Sequence, residues 1–132
     1  MTVYPPVCVP ARARWFATPA LVQAGDTLRL SASGTWVDFV IPCSAEGWDA
    51  GWLYKMGVVP RIPDEGRYYR LMGRIGDENA PPDSDDALVT FAIGTQNTVE
   101  AKRAGRLYVF ANDRDGFYWN NWGCLSLHIE VI

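Results

Sequence analysis

The segment Thr27-Leu28-Arg29-Leu30-Ser31-Ala32-Ser33 alternates strictly between apolar and polar side chains. Successive side chains of an extended strand point to opposite faces, so this pattern predicts a strand with one buried and one solvated face. The last segment repeats the pattern, with Leu125, Leu127, Ile129 and Val131 on one face and Cys124, Ser126, His128 and Glu130 on the other. Neither segment has the 3.6-residue period of an amphipathic helix. Both therefore predict half-buried strands of antiparallel sheets.

Two further runs, Leu107–Ala111 and Val89–Ile93, also alternate, and turn-forming residues separate the runs from one another. Several short strands joined by regular turns are typical of a sandwich or a barrel. The chain has 132 residues and neither a linker nor an internal repeat. We therefore expect a single all-β domain over residues 1–132, with an irregular N-terminal segment at residues 1–14 and an irregular excursion at Ile41–Pro63.

The composition argues against several functional classes. Hydrophobic residues make up 48% and charged residues 20%, which is typical of a folded globular domain. No window of about 18 apolar residues occurs, so no membrane span is predicted. A net charge of −3 argues against nucleic acid as a partner, since that binding depends on phosphate neutralisation. Residues 1–14 lack the apolar stretch of a signal peptide, which leaves three alternatives open: a cytoplasmic protein, export by a non-classical route, or a signal that was removed ahead of this sequence.

The cysteines and the single histidine give no sign of a reactive site. Cys8, Cys43 and Cys124 cannot all pair within one chain, and no CxxC motif occurs. We therefore expect neither a disulfide scaffold nor a zinc site, and we expect Cys124 to be a small packing residue. His128 lies on the outward face of the last strand, which favours a surface or interface role over catalysis.

The segment Asn112–Gly123 concentrates oxygen donors between two predicted strands. It reads Asn112-Asp113-Arg114-Asp115-Gly116-Phe117-Tyr118-Trp119-Asn120-Asn121-Trp122-Gly123, with two carboxylates and three side-chain amides. Such oxygens are the ligands that Ca²⁺ prefers. The spacing is not that of an EF-hand, because the sixth position counted from Asp113 is Tyr118 instead of glycine. On composition alone, an Asx-rich turn and a metal site both remain open.

This loop and two other segments resemble the PA-I galactophilic lectin family of bacteria. The similar segments are Gly25–Trp36, Pro63–Gly66 and Ala104–Gly123, and the Asn-Asp…Asn-Asn-x-Gly spacing of the last is the most specific feature. The resemblance implies a small jelly-roll-like antiparallel β-sandwich that acts as a calcium-dependent lectin for galactose-type glycans and is not an enzyme. Lectins of this kind often gain avidity by assembling. We therefore expect a homo-oligomer, with the outward row from Cys124 to Glu130 as a candidate interface.

The resemblance also implies which residues form the site. The Ca²⁺ ligands would be the side chains of Asp113, Asn120 and Asn121, the carbonyl of Phe117, and a carbonyl that ungapped alignment places at Asp38 and a one-residue shift places at Phe39. The sugar would contact Asp113, Asn120, Pro63, Asp64 and Glu65. Trp119, which departs from the family pattern, is a further candidate for a sugar contact.

Two positions depart from the family pattern. Ile62 stands where the galactose binders have a histidine, and Glu65 stands where they have a glutamine. Both family residues reach the exocyclic hydroxyl of the sugar. We therefore expect less dependence on that hydroxyl, weak binding of anionic sugars, and stronger galactose binding in an Ile62→His variant.

The tryptophans divide into core and loop positions. Trp36 follows a predicted strand and is expected in the core. Trp119 and Trp122 replace small residues of the family loop, and either a stacking face for a sugar or packing against other loops remains open. For Trp48 and Trp52, in the irregular excursion, lining the pocket and packing elsewhere both remain open.

Two other functional classes compete with a lectin. A glycosidase would need a pair of carboxylates, such as Asp64 or Glu65 with Asp113 or Asp115, but these lie in turns where solvation explains them. A structural or oligomerisation module with the same fold and no sugar binding is the main alternative to a lectin.

Overall fold

The computed structural model describes residues 1–132 and consists almost entirely of strands. The strands are β1 (Thr2–Val3), β2 (Val7–Pro10), β3 (Phe16–Val22), β4 (Thr27–Ser33), β5 (Trp36–Asp38), β6 (Ile41–Cys43), β7 (Trp48–Asp49), β8 (Arg67–Tyr68), β9 (Leu71–Gly76), β10 (Phe91–Ala92), β11 (Gln96–Glu100), β12 (Gly105–Ala111) and β13 (Asn121–Val131). One short helix, α1 (Gly51–Lys55), and one 3₁₀ turn, Tyr118–Asn120, complete the structure. No helix is long and apolar enough to cross a membrane.

Two antiparallel sheets form the predicted sandwich. The larger sheet has the order β11-β4-β13-β5-β6, with β1 and β2 also pairing with β13. The smaller sheet has the order β10-β9-β12-β3, and β7 and β8 form a separate two-stranded ribbon. The inward residues of β4 and β13 are buried against those of β9 and β12 in one core that also contains Trp36. The all-β fold and the alternation of β4 and β13 are thus confirmed.

Strand β12 differs from its prediction because both of its faces are covered. It lies between β9 and β3, and Leu107 and Val109 face the main core. On the other face Tyr108 and Phe110 are 2% and 0% exposed and pack edge-on against Trp15. The expectation of a solvated face is therefore wrong for β12. The strand predicted over Val89–Ile93 is shorter than expected, since only Phe91–Ala92 forms a strand and Val89 is half exposed.

The N-terminal segment is not irregular. β1 and β2 pair with β13, with Cys8 opposite Ser126 and Pro10 opposite Cys124. This pairing brings Cys8 and Cys124 to a Cα–Cα distance of 5.6 Å, and they form a disulfide. Cys124 is therefore a half-cystine and not a packing residue, and Cys43 is the free thiol. The excursion Ile41–Pro63 contains β6, β7 and α1, so it is only partly irregular.

Candidate functional site

The loop that joins β12 to β13 lies beside the end of β5. Asn121 is the register partner of Asp38, and the Phe39 N–H donates to the carbonyl of Asn120 at 3.2 Å. Phe117 precedes the 3₁₀ turn, and the Asn120 N–H points back to the Phe117 carbonyl at 3.4 Å. This turn changes the direction of the backbone before β13 begins, so Asn120 and Asn121 are not successive residues of one straight strand.

Asn112 and Asp113 are held by hydrogen bonds from two sides. The side-chain amide of Asn112 donates to the Ile62 carbonyl at 2.7 Å, and its oxygen accepts from the Ile62 N–H at 3.1 Å. The Arg61 N–H donates to the Asp113 carbonyl at 2.9 Å, and the Tyr69 N–H donates to the Asn112 carbonyl at 2.8 Å. Asn112 thus serves as an extra strand partner for the segment that leads into Pro63.

Arg61 contacts the loop Asn112–Gly123 through a buried guanidinium. Its side chain is 1% exposed and lies 3.9 Å from the centroid of the Phe110 ring. It donates to Asp85 at 2.9 Å, to the Arg14 carbonyl at 2.7 Å and to the Tyr118 hydroxyl at 2.8 Å. A buried charge is tolerated only when it is paired and hydrogen-bonded, as here.

Three buried side-chain oxygens of this loop have no hydrogen-bond partner. They are Oδ2 of Asp113, Oδ1 of Asn120 and Oδ1 of Asn121. Asp113 and Asn121 are 3% and 1% exposed, so bulk water does not solvate them freely. Buried polar atoms are almost always paired, and leaving one unpaired costs about 1–3 kcal/mol. Three such oxygens on residues so close in sequence call for a ligand that needs oxygen donors.

Asp113 and Asn120, but not Asn121, line a depression of about 200 Å³. Among its lining residues are Asp38, Trp48, Tyr68, Asp113, Phe117 and Asn120. Burial and the nearby Asp113 raise the pKa of Asp38 to about 6, although the Trp48 indole N–H opposes this by donating to Asp38 at 3.1 Å. Burial also raises the pKa of Asp113, against a hydrogen bond from the Arg114 N–H. Two carboxylates in a poorly solvated depression favour a bound cation.

The donors present fit a hard cation better than a transition metal. No group of three or more His, Cys, Asp or Glu side chains is placed to hold a metal ion. Here the donors are two carboxylates, two amide oxygens and backbone carbonyls, which are typical calcium ligands. Either Asp38 or Phe39 remains the candidate for the additional carbonyl. The Phe39 carbonyl accepts from the Trp122 indole at 3.0 Å, whereas Asp38 also brings its carboxylate into the depression.

The N-terminal strand orients Asn121. The Asn121 amide donates to the Ala11 carbonyl at 3.1 Å, and the Ala11 N–H donates to the Gly123 carbonyl at 3.0 Å. The Asn121 oxygen is thereby left without a partner, while its nitrogen is satisfied. No local sequence pattern indicates this contact, because residues 11 and 121 are far apart in the chain.

The predicted sugar loop lies nearby but does not line the depression. Pro63, Asp64 and Glu65 follow directly on Ile62, whose backbone is bonded to Asn112. None of the three lines the depression. The Asp64 carboxylate forms an ion pair with Arg70 at 3.1 Å, and Pro63 and Glu65 are exposed. Trp48 and Tyr68 do line the depression; Tyr68 carried no sequence signal, because its position depends on the β7–β8 ribbon.

The side chain of Ile62 points into the core and not towards the predicted sugar site, contrary to the expectation from the family resemblance. Ile62 is 5% exposed and packs against Met72 and Phe110. We therefore expect Ile62→His to lower the free energy of unfolding by about 1–3 kcal/mol, because it buries an imidazole among apolar groups. Ile62→Val, which keeps the site apolar, should cost about 0.5–1.5 kcal/mol. Urea denaturation measures both, and an Ile62→His variant as stable as wild type would contradict this packing.

Trp119 and Trp122 do not line the depression described above. Their side chains are 68% and 60% exposed. They line a second depression together with Phe39, Asn120 and Asn121. Trp52, in α1, is also 60% exposed but lines neither depression.

Comparison with protein-family models and with curated proteins finds no match for this chain. Among solved structures, the chain is similar to one described as an EclA N-terminal domain, a PllA-like lectin. The TM-score is 0.66, the match covers 98% of each chain, and the sequences are 20% identical. The protein thus has the fold of this lectin domain over nearly its whole length. At this identity the similarity establishes the fold and leaves the function to be argued from the site.

Proposed function

We propose that this protein is a calcium-dependent lectin for galactose-type glycans. The observation that supports the proposal most directly is the set of three buried, unpartnered oxygens on Asp113, Asn120 and Asn121. The lectin fold and the sequence resemblance to the PA-I family support it independently. A glycosidase does not account for oxygens that the fold buries and leaves unsatisfied, and sugar binding is what distinguishes a lectin from a structural module with the same site.

The protein's own residues would prepare the site in two ways. The hydrogen bonds from the Arg61 and Ile62 N–H groups hold Asp113 and Asn112 in place, and the Ala11 carbonyl fixes the amide of Asn121. The donors are therefore arranged before any ligand arrives, which lowers the entropy cost of binding. When bound, calcium supplies coordination positions that two vicinal sugar hydroxyls can occupy. Asp113 would accept a hydrogen bond from one of those hydroxyls and Asn120 would contact the sugar, as the resemblance implies.

The test is retention on immobilised galactose. We expect the protein to be retained in millimolar Ca²⁺ and released by a chelator, because removal of the metal takes away the ion that holds the sugar hydroxyls. A column of the same matrix without sugar controls for non-specific adsorption.

A glycan array with and without Ca²⁺ extends the same test to other sugars. Binding of galactose-terminated glycans only in the presence of Ca²⁺ is the expected result. If no glycan binds in either condition while the protein is folded, the structural-module alternative holds and the proposed function is wrong.

A further inference from the structure

An exposed aromatic surface lies next to the candidate site. It consists of Phe39, Val40, Trp119 and Trp122, which are 59%, 70%, 68% and 60% exposed, and we call it the aromatic shelf. These four side chains line a shallow depression of about 470 Å³ together with Asn120 and Asn121. Large apolar side chains that cluster on a surface usually mark a binding site.

The shelf and the candidate site share Asn120. This residue lines the depression that contains Asp38 and Asp113 and also the shelf. Its Oδ1 is one of the three unpartnered oxygens. If one end of a ligand were bound at Asn120, the adjoining portion of the ligand would therefore lie either over the shelf or in solvent.

The shelf is partly fixed in the absence of a ligand. The Trp122 indole N–H donates to the Phe39 carbonyl at 3.0 Å, which holds the ring against the end of β5. Because this ring is already ordered, little conformational entropy is lost when a ligand covers it. Exposed indole rings that line the same depression as the Asn120 amide suit an amphipathic ring that has an apolar face and a polar edge.

We infer that the aromatic shelf is a second subsite, which takes the pyranose ring linked to the terminal galactose of a glycan. This inference rests on the proposed function. It makes the preferred ligand a disaccharide or a longer glycan, with the C–H face of the second ring on Trp119 or Trp122 and its hydroxyls towards the side-chain amide of Asn120.

The test compares one sugar ring with two. Isothermal titration in millimolar Ca²⁺ would measure binding of methyl β-galactoside, lactose and melibiose, the two disaccharides differing in how the second ring projects. We expect at least one disaccharide to bind about two- to tenfold more tightly than the monosaccharide, the range of a single aromatic contact. Trp119→Ala and Trp122→Ala should each reduce this ratio, and together they should bring it close to one. Trp52→Ala, an equally exposed tryptophan outside the shelf, should leave it unchanged.

The outcomes separate the two proposals. If the monosaccharide binds but neither disaccharide binds more tightly, the shelf is not a sugar subsite. A preference that survives the double tryptophan variant overturns the inference as well. If phenyl β-galactoside binds more tightly and the disaccharides do not, the shelf takes an apolar group and the assignment to a second sugar is wrong. Absence of all sugar binding would overturn the proposed function itself.

Discussion

The Asp113→Asn variant is expected to lose both the stabilisation by calcium and the binding of sugar. Its Oδ2 is buried without a partner, and the carboxylate is the only charge among the three unpartnered oxygens. For the wild-type protein, calcium at a hundredfold excess over its Kd should raise the free energy of unfolding by about 2.7 kcal/mol. For a domain of this size that is a shift in Tm of about 10 °C. Thermal melts with Ca²⁺ and with chelator measure the difference.

Asp115→Asn is the matched control for this experiment. Asp115 belongs to the same loop, but its side chain is 60% exposed and pairs with Arg14 at 2.6 Å. Loss of such a surface pair costs about 0–1 kcal/mol, so the calcium shift should remain. Without calcium, Asp113→Asn should be at least as stable as wild type, because burial disfavours the ionised carboxylate. If Asp113→Asn keeps the full calcium shift, Asp113 is not a ligand.

Removal of the Cys8–Cys124 disulfide should have the largest effect on stability. The bond joins two residues that are 116 positions apart in the sequence, and it therefore restricts the unfolded chain strongly. The Cys8→Ser, Cys124→Ser double variant should lose about 2–4 kcal/mol, which corresponds to a fall in Tm on the order of 10 °C. Because β2 leads to Ala11, which orients Asn121, we also expect weaker calcium binding by this variant.

Cys43→Ser controls for the loss of a thiol, since Cys43 forms no disulfide. Thiol titration of the denatured wild-type protein without reductant should detect one free cysteine of the three. Three free thiols, together with a double variant that melts like wild type, would contradict the disulfide.

The strands of the sandwich were predictable from the sequence where burial is one-sided. β4 and β13 each have a solvated face, so alternation alone identified them. β12 lies in the middle of its sheet under Trp15 and Arg61, and alternation could not reveal that its second face is covered. The disulfide was missed because it depends on pairing between the two ends of the chain, and three cysteines allow several pairings.

For the site, the sequence located the loop but not its surroundings. Oxygen donors and the family resemblance pointed to Asp113, Asn120 and Asn121, and their role as ligands stays a prediction. Sequence alignment could place Ile62 next to Pro63, but it could not show that the side chain turns inward while the backbone bonds to Asn112. Such orientation depends on tertiary packing and not on local propensity.

Arg61 has a consequence for how the protein opens. Its guanidinium holds the Arg14 carbonyl, the Asp85 carboxylate and the Tyr118 hydroxyl at once, so three surface loops converge on one buried charge. If any one of these loops detached, the guanidinium would lose one of its hydrogen-bond partners. Water could replace that partner only if the apolar side chains around the guanidinium separated, which would cost free energy. Binding loops usually belong to the least stable parts of a fold and open by themselves. Here the loop from Asn112 to Gly123 is joined to the same cooperative unit as the core, and its opening is coupled to that of two neighbouring loops.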